Sequence, residues 1–242
     1  MYINLVLLTI IPVYNHIPLE KDPHNWWYFG RLELLKLLLK LVDTKKINNI
    51  LEIGPGLGVN IKLLSKYGTV DILEIDQYFV DQIKKSNKKI NHFSDISQID
   101  KKFDLIVMMD VLEHIEDSEN FMNDVSKILN VDGNLILSVP AYPKLFSDHD
   151  IQMKHFRRYT KKILTKELSA DFKNYRFYRY NFILLPIRIL QIRFNKKVNS
   201  RVETSKFINF LLKNIIKIEI ILHRMKIKVP YGLSIFCVAK KN

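Results

Sequence analysis

LEIGPGLG, residues 51–58, closes a short apolar run, INNILEIG (47–54), with three of the chain's seven glycines, Gly54, Gly56 and Gly58. That concentration demands a local cause. Glycines in a turn after a strand permit positive φ and let a ligand approach the backbone closely, and a following helix offers the unpaired amides of its first turn. VNIKLLSKYG (59–68) reads as that helix.

From there the pattern repeats. TVDILEID (69–76), FDLIVMMD (103–110) and GNLILSVP (133–140) read as short apolar strands, separated by the helical stretches QYFVDQIKKSN (77–87) and SENFMNDVSKILN (118–130). Strands and helices alternating at these lengths imply βαβ units and a parallel sheet. Upstream, RLELLKLLLKLV (31–42) sets leucines at helical spacing; after Pro140 come a polar loop, a helix over 160–170, and two closing strands, YRFYRY (175–180) and LSIFCVAKK (233–241). The expected fold is α/β: a doubly wound, Rossmann-like, seven-stranded and mostly parallel sheet. Its expected parts are an N-terminal helical cap (1–43), the core (44–181), a basic apolar helical insert (182–228) and the last strand (229–242).

Spacing discriminates between the ligands that use such a turn. A dinucleotide fingerprint needs G-x-G-x-x-G, but here the third glycine comes one position early and Val59 stands in the required place. The neighbouring strand ends in Glu74, where a carboxylate could accept hydrogen bonds from both hydroxyls of a ribose. LEIGPGLG, LEID (73–76), FSDIS (93–97) and FDLIVMMDVLEHIED (103–117) together resemble, in order, the motifs of the class I S-adenosylmethionine-dependent methyltransferases of type 11/12-like sequence. The resemblance covers at least residues 48–160.

The resemblance implies S-adenosyl-L-methionine as cofactor, with residues 44–181 as its binding domain. Glu52 and the loop of Gly54, Gly56 and Gly58 would line the methionine end, Glu74 with Ile75 the ribose, and Asp95 with Ile96 the adenine edge. Asp110 and Val111 would flank the adenosyl group or the sulfonium. For each acid a second reading stands beside this one, a solvated strand-end carboxylate or a helix cap.

A methyl carried on a sulfonium is already electrophilic, so the protein's task is to hold a nucleophile in line and exclude water. A hydroxyl acceptor would gain from a general base, and His114 and His155 stand after strands where one could sit. Asp148, His149, Asp150, His155, Arg157 and Arg158 fall within eleven positions of one loop. That loop resembles a family subset with a histidine, aromatic, double arginine and tyrosine after the fifth strand, which makes Asp150, Arg157, Arg158 and Tyr159 candidate substrate contacts. An arginine pair there could clamp a phosphate or carboxylate; a salt-bridge cluster holding the loop is the alternative. The same subset carries paired tryptophans and an arginine upstream, matched by His24, Trp26, Trp27 and Arg31, either as a lid or as packing for a cap helix.

Charge is distributed unevenly. Residues 1–140 hold 15 Lys+Arg and 19 Asp+Glu, net −4, whereas residues 141–242 hold 23 and 6, net +17. An anionic partner is expected of such asymmetry, and the insert sequences NFILLPIRILQIRFNKKVNSR (181–201) and FINFLLKNIIKIEIILHRMKIK (207–228) mix apolar and basic residues as interfacial helices do. Packing over the site or in a homodimer is the alternative. The apolar residues 1–13 are too short to span a bilayer and read as a docking segment. A single cysteine, Cys237, allows no internal disulfide and fits a cytoplasmic setting, peripheral on the inner membrane face if the insert binds lipid; no Cys/His spacing marks a metal site. The expected activity is methyl transfer to a small-molecule, saccharide or lipid-linked acceptor. The rivals are an RNA methyltransferase, against which MMDVLEH in place of an Asn-x-Pro-aromatic motif speaks, and a cofactor-binding module without turnover.

Overall fold

The computed structural model describes residues 25–87, 89–168, 170–194 and 205–242. Residues 1–13 and His24, named above, and Lys196, Lys197 and Arg201 of the quoted stretch 181–201 lie outside that set. Seven strands form one sheet: β1 Asn49–Ile53, β2 Thr69–Leu73, β3 His92–Phe93, β4 Phe103–Met109, β5 Leu129–Pro140, β6 Phe172–Tyr180 and β7 Ser234–Lys241, in the order β3-β2-β1-β4-β5-β7-β6. The pairs from β3 to β5 are parallel, and β7 runs antiparallel between β5 and β6. The order reverses between β1 and β4, the position at which doubly wound sheets open a crevice at their strand carboxyl ends.

Helices cover both faces: α1 Trp26–Leu39, α2 Ile61–Leu64, α3 Gln77–Ser86, α4 Ser118–Ile128, α5 Asp148–Gln152, α6 Lys161–Glu167, α7 Leu185–Arg193 and α8 Lys206–Arg224. The central strands are apolar almost throughout because both faces are covered, and alternate side chains supply two cores. Ile106 and Met108 join Met122 and Val125 of α4 on one face. Leu105 and Val107 join Leu34 and Leu38 of α1 and Leu212, Ile216 and Ile220 of α8 on the other. The insert between β6 and β7 thereby completes the core through α8, which the N-terminal helix meets lengthwise. The Trp26 amide donates to Asn209 Oδ1 at 2.7 Å, and Arg224 pairs with Glu33 at 3.1 Å.

Three elements differ from the sequence expectation. Helix α1 starts at Trp26, ahead of the leucine pattern, because the Asn25 side chain accepts from the amides of Trp27 and Tyr28. The expected helix over 59–68 is a single turn, α2. Asn60, at its N-terminal boundary, makes no side-chain cap, its Nδ2 donating instead to Glu52 Oε1 at 2.8 Å, and the chain beyond Leu64 tightens into i→i+3 bonds from Lys66 and Tyr67. Strand β5 begins at Leu129, directly from α4, four residues before Gly133. Among the described residues no helix is long and apolar enough to cross a membrane.

The turn into β7 passes tightly over β6, where a Cβ on Gly232 would stand 2.6 Å from the Tyr180 amide nitrogen. Gly232→Ala is therefore expected to cost about 2 kcal/mol, read as a fall of roughly 4–8 °C in Tm.

Candidate active site

Where β1 ends, Gly54, Gly56 and Gly58 all take positive φ, at 63°, 52° and 69°. They do so for different reasons. A Cβ on Gly54 would lie 2.6 Å from Val111 Cγ2, so this glycine lets the turn close against the end of β4, and one on Gly58 would strike Ile61 and Ile83, the packing of α2 and α3. A Cβ on Gly56 would meet nothing within 4 Å. Gly56 lines a cleft of about 180 Å³ with Asn60, Asp110, Trp27, Tyr28 and Arg31.

Two carboxylates at neighbouring strand ends brace this turn. Glu74, just past β2, accepts from the Gly56 amide at 3.1 Å and from the Asp76 amide at 3.0 Å, and burial raises its pKa against those bonds. Glu52 in β1 is buried, with Oε1 held by Asn60 and Oε2 without a hydrogen-bond partner. Burial lifts its carboxyl to about 7, with the Asn60 bond opposing and the nearby Glu74 adding. Ile75 is 86% exposed and Asp95 fully so. Asp95 caps the 3-10 turn Ile96–Gln98, accepting from the Ser97 amide at 2.7 Å; the Ser97 hydroxyl and then that amide lower its pKa, and Ile96 packs against the core. Neither Ile75, Asp95 nor Ile96 walls the cleft; they stand at the ends of the two strands beside it.

On the opposite wall Asp110 takes a positive φ of 54°, accepts from Ser138 Oγ at 2.8 Å, and pairs with Arg31, whose guanidinium lies 4.4 Å above the Trp27 ring. The two tryptophans divide their roles: Trp26 is core, and Trp27 faces the cleft. Sequence reasoning missed Asn60, Tyr28 and Ser138. Asn60 alone carried a signal, a polar residue two places past the glycine turn.

One turn beyond Asp110, past Val111, the 3-10 helix Leu112–His114 brings His114 against His155, ring centroids 4.6 Å apart and edge to face. Asp150 accepts from His155 Nδ1 at 3.0 Å and from Arg158 Nε at 2.7 Å. Burial works against the Asp150 charge, but the His155 and Arg158 contacts prevail and hold the carboxyl well below the usual carboxylate range. Burial, with His155 beside it, lowers His114 to about 4; burial, with Arg188 nearby, does the same to His149. Glu113 is buried, with Oε2 unpartnered, and one ligand atom from each of Glu113, His114 and His155 lies within 4.8 Å of the others, close enough to surround a small cation.

The expected arginine clamp gives way to two separate attachments. Arg158 is buried on Asp150 and Ala141 O, while Arg157 turns to Ser118 Oγ, Glu116 O and, at 3.7 Å, Glu167. Tyr159 is wholly buried, its hydroxyl donating to Leu112 O at 3.3 Å, so it fastens the loop to the histidine-bearing turn rather than facing outward. Desolvation is the reason: charged and phenolic groups drawn under the loop must find partners inside it.

The sequence family described as a methyltransferase domain matches residues 26–181. Ubiquinone biosynthesis O-methyltransferases of Rickettsia bellii and Rickettsia typhi are 27% and 28% identical over 140 and 141 residues, in each case 49% of this chain and 58% and 57% of the relative. The chain thus spans somewhat over half the length of these relatives. Among solved structures, an S-adenosylmethionine-dependent methyltransferase from Archaeoglobus fulgidus superposes with a TM-score of 0.58 at 15% identity, covering 88% of this chain and 94% of that one. The N-methyltransferase NodS of Bradyrhizobium japonicum, solved with S-adenosylhomocysteine, gives 0.57 at 15% identity over 95% and 94%. At that identity they share the fold.

Two outcomes follow from this geometry. Gly56→Ala should cost about 1–2 kcal/mol of stability for its left-handed backbone yet weaken ligand binding at least tenfold, whereas Gly54→Ala, which also strikes Val111, should lose clearly more Tm. Calorimetric titration beside thermal melts separates them. Burial raises Glu113 from 4.5 to about 8, ahead of the opposing Arg31 and Arg158 charges. The folded protein therefore keeps a proton that the unfolded chain releases, and stability is lost as pH rises from 4.5 through 8. Denaturant melts across that window should show the loss in the wild type and a flatter profile in Glu113→Gln.

Proposed function

The chain belongs to the methyltransferase-domain family, and on that premise we propose that it binds S-adenosyl-L-methionine in the glycine-turn cleft and methylates an oxygen of a small-molecule, saccharide or lipid-linked acceptor. The residues fit that cofactor. Glu52 Oε2, buried and unpartnered, suits an ammonium group, and Gly56 leaves its side of the turn open to a ligand. Glu74 would hold the ribose, with Ile75 and Asp95 at the adenine side and Asp110 and Val111 across the turn. When bound, the cofactor supplies a methyl group on a positively charged sulfur.

The chain's own residues prepare the acceptor. The observation that carries an oxygen acceptor is the Asp150–His155 pair set against His114. With Asp150 accepting from Nδ1–H, the basic atom of His155 is Nε2, and that atom takes the acceptor's hydroxyl proton as its oxygen gains the methyl. Arg158 acts as a positioning residue by keeping Asp150 ionised. His114, neutral above about pH 4, gives His155 an uncharged neighbour. Trp27, Tyr28 and Arg31 wall the cleft and exclude water. The Rickettsia relatives, named for O-methylation in ubiquinone biosynthesis, support oxygen as the receiving atom.

Incubation with labelled methyl donor and fractionated extract tests the reading: label should enter the small-molecule or lipid fraction, and label in RNA alone would overturn it. His155→Ala should lower kcat on the order of 10²–10⁴-fold while donor affinity changes less than about twofold.

A further inference from the structure

Helix α8 is apolar on two opposite sides. Leu212, Ile216 and Ile220 point into the core, as a helix buried against α1 requires. Phe207, Phe210 and Leu211, then Ile218, Ile221 and, just past the end, Met225 form two apolar groups on the other side, separated by Asn214, and are 42–75% exposed. Aliphatic and aromatic side chains clustered and exposed along one side of a helix mark a contact surface. The helix is 19 residues long, about 28 Å at 1.5 Å per residue, so the stripe runs most of the width of the domain.

The charges beside the stripe say what it meets. Lys206, Lys213, Lys217 and Arg224 follow at intervals of seven, four and seven, which places them along one flank of the helix, Arg224 being paired with Glu33, and Lys226 and Lys228 lie just past the helix end. Lys213 and Lys217 lie 5.9 and 6.0 Å from the centroid of the Phe29 ring, so that flank borders α1. The one acid of α8, Glu219, is buried and accepts from the Phe182 amide, and Glu33 of α1, beside the flank, is ion-paired with Arg224 and Lys36. An apolar stripe beside a cationic edge, within residues 141–242 that carry net +17, is the profile of a helix lying in the headgroup region of an anionic bilayer.

We propose that the outer face of α8 docks the protein on an anionic lipid surface, with Phe207, Phe210, Ile218 and Ile221 entering the acyl boundary and the basic flank meeting the headgroups. A second protein copy would be served by the apolar stripe alone and repelled by the cationic edge it would also present. The docking stands apart from the methyl acceptor: it requires only α8, one helix removed from the walls of the cleft. It would bring α1, and with it Trp27 and Arg31, to within a helix diameter of the membrane plane.

Full-length protein sedimented with phosphatidylcholine vesicles containing about 30% phosphatidylglycerol, and with pure phosphatidylcholine vesicles, tests the proposal. We expect binding to the anionic vesicles at about 50 mM salt, at least tenfold weaker at about 500 mM, and at least tenfold weaker to the neutral vesicles. Phe207→Ser/Phe210→Ser/Ile221→Ser replaces exposed side chains and should keep its Tm while losing vesicle binding by at least tenfold. Absence of binding to anionic vesicles, undiminished binding of the triple variant, or a dimer in solution that the triple variant dissolves without any vesicle association would each overturn it.

Discussion

The hydrogen bond from the Gly56 amide to Glu74 Oε2 joins the turn after β1 to the end of β2, and the geometry of the cleft hangs on it. The Gly54 amide, donating to Leu73 O at 2.9 Å, ties the start of the same turn to β2, and the Glu74 bond fixes its middle. With it, the backbone of Gly56 faces the crevice at the switch between β1 and β4, while Gly54 seats the turn against Val111. Both Glu52 and Glu74 have raised pKa values because this arrangement removes them from water, with Glu74 adding to the shift of Glu52 and Asp76 to that of Glu74. Such a site suits a ligand that brings positive charge and hydroxyl donors of its own, since each carboxylate is worth more to it in a desolvated cleft than in water.

Much of the fold was legible because its signals are periodic. Apolar strands between helices, and Glu74 placed after one of them, fix a parallel sheet and its ligand edge, and the closing antiparallel pair follows from the two late strands. What periodicity could not supply was the use of single polar side chains. Asn60 turns to Glu52 and α2 shrinks to one turn; Asn25 caps α1 and draws both tryptophans into the helix.

At the loop after β5 the sequence conveyed density of chemistry but not its division. Six polar residues there were open to two readings, and tertiary packing separates them. Arg158 and Asp150 are buried on each other, Tyr159 is buried on Leu112 O, His155 is held by Asp150 beside His114, and Arg157 leaves for α4 and α6. Asp95 shows the same limit, since its cap of a 3-10 turn leaves it exposed at the strand end where a ligand edge could still reach it. No spacing rule reveals Glu113, whose side chain is drawn under the loop by a turn only three residues long.

The central claim is that this turn and the neighbouring carboxylate bind the methyl donor and its demethylated product. Isothermal titration of the folded protein with S-adenosylhomocysteine tests it most directly. The account predicts a saturable one-to-one heat with a Kd of roughly 1–100 μM, weakened at least tenfold, about 1.4 kcal/mol, by Glu74→Gln in protein that still melts cooperatively. No heat at about 1 mM ligand with protein that still melts cooperatively would contradict it.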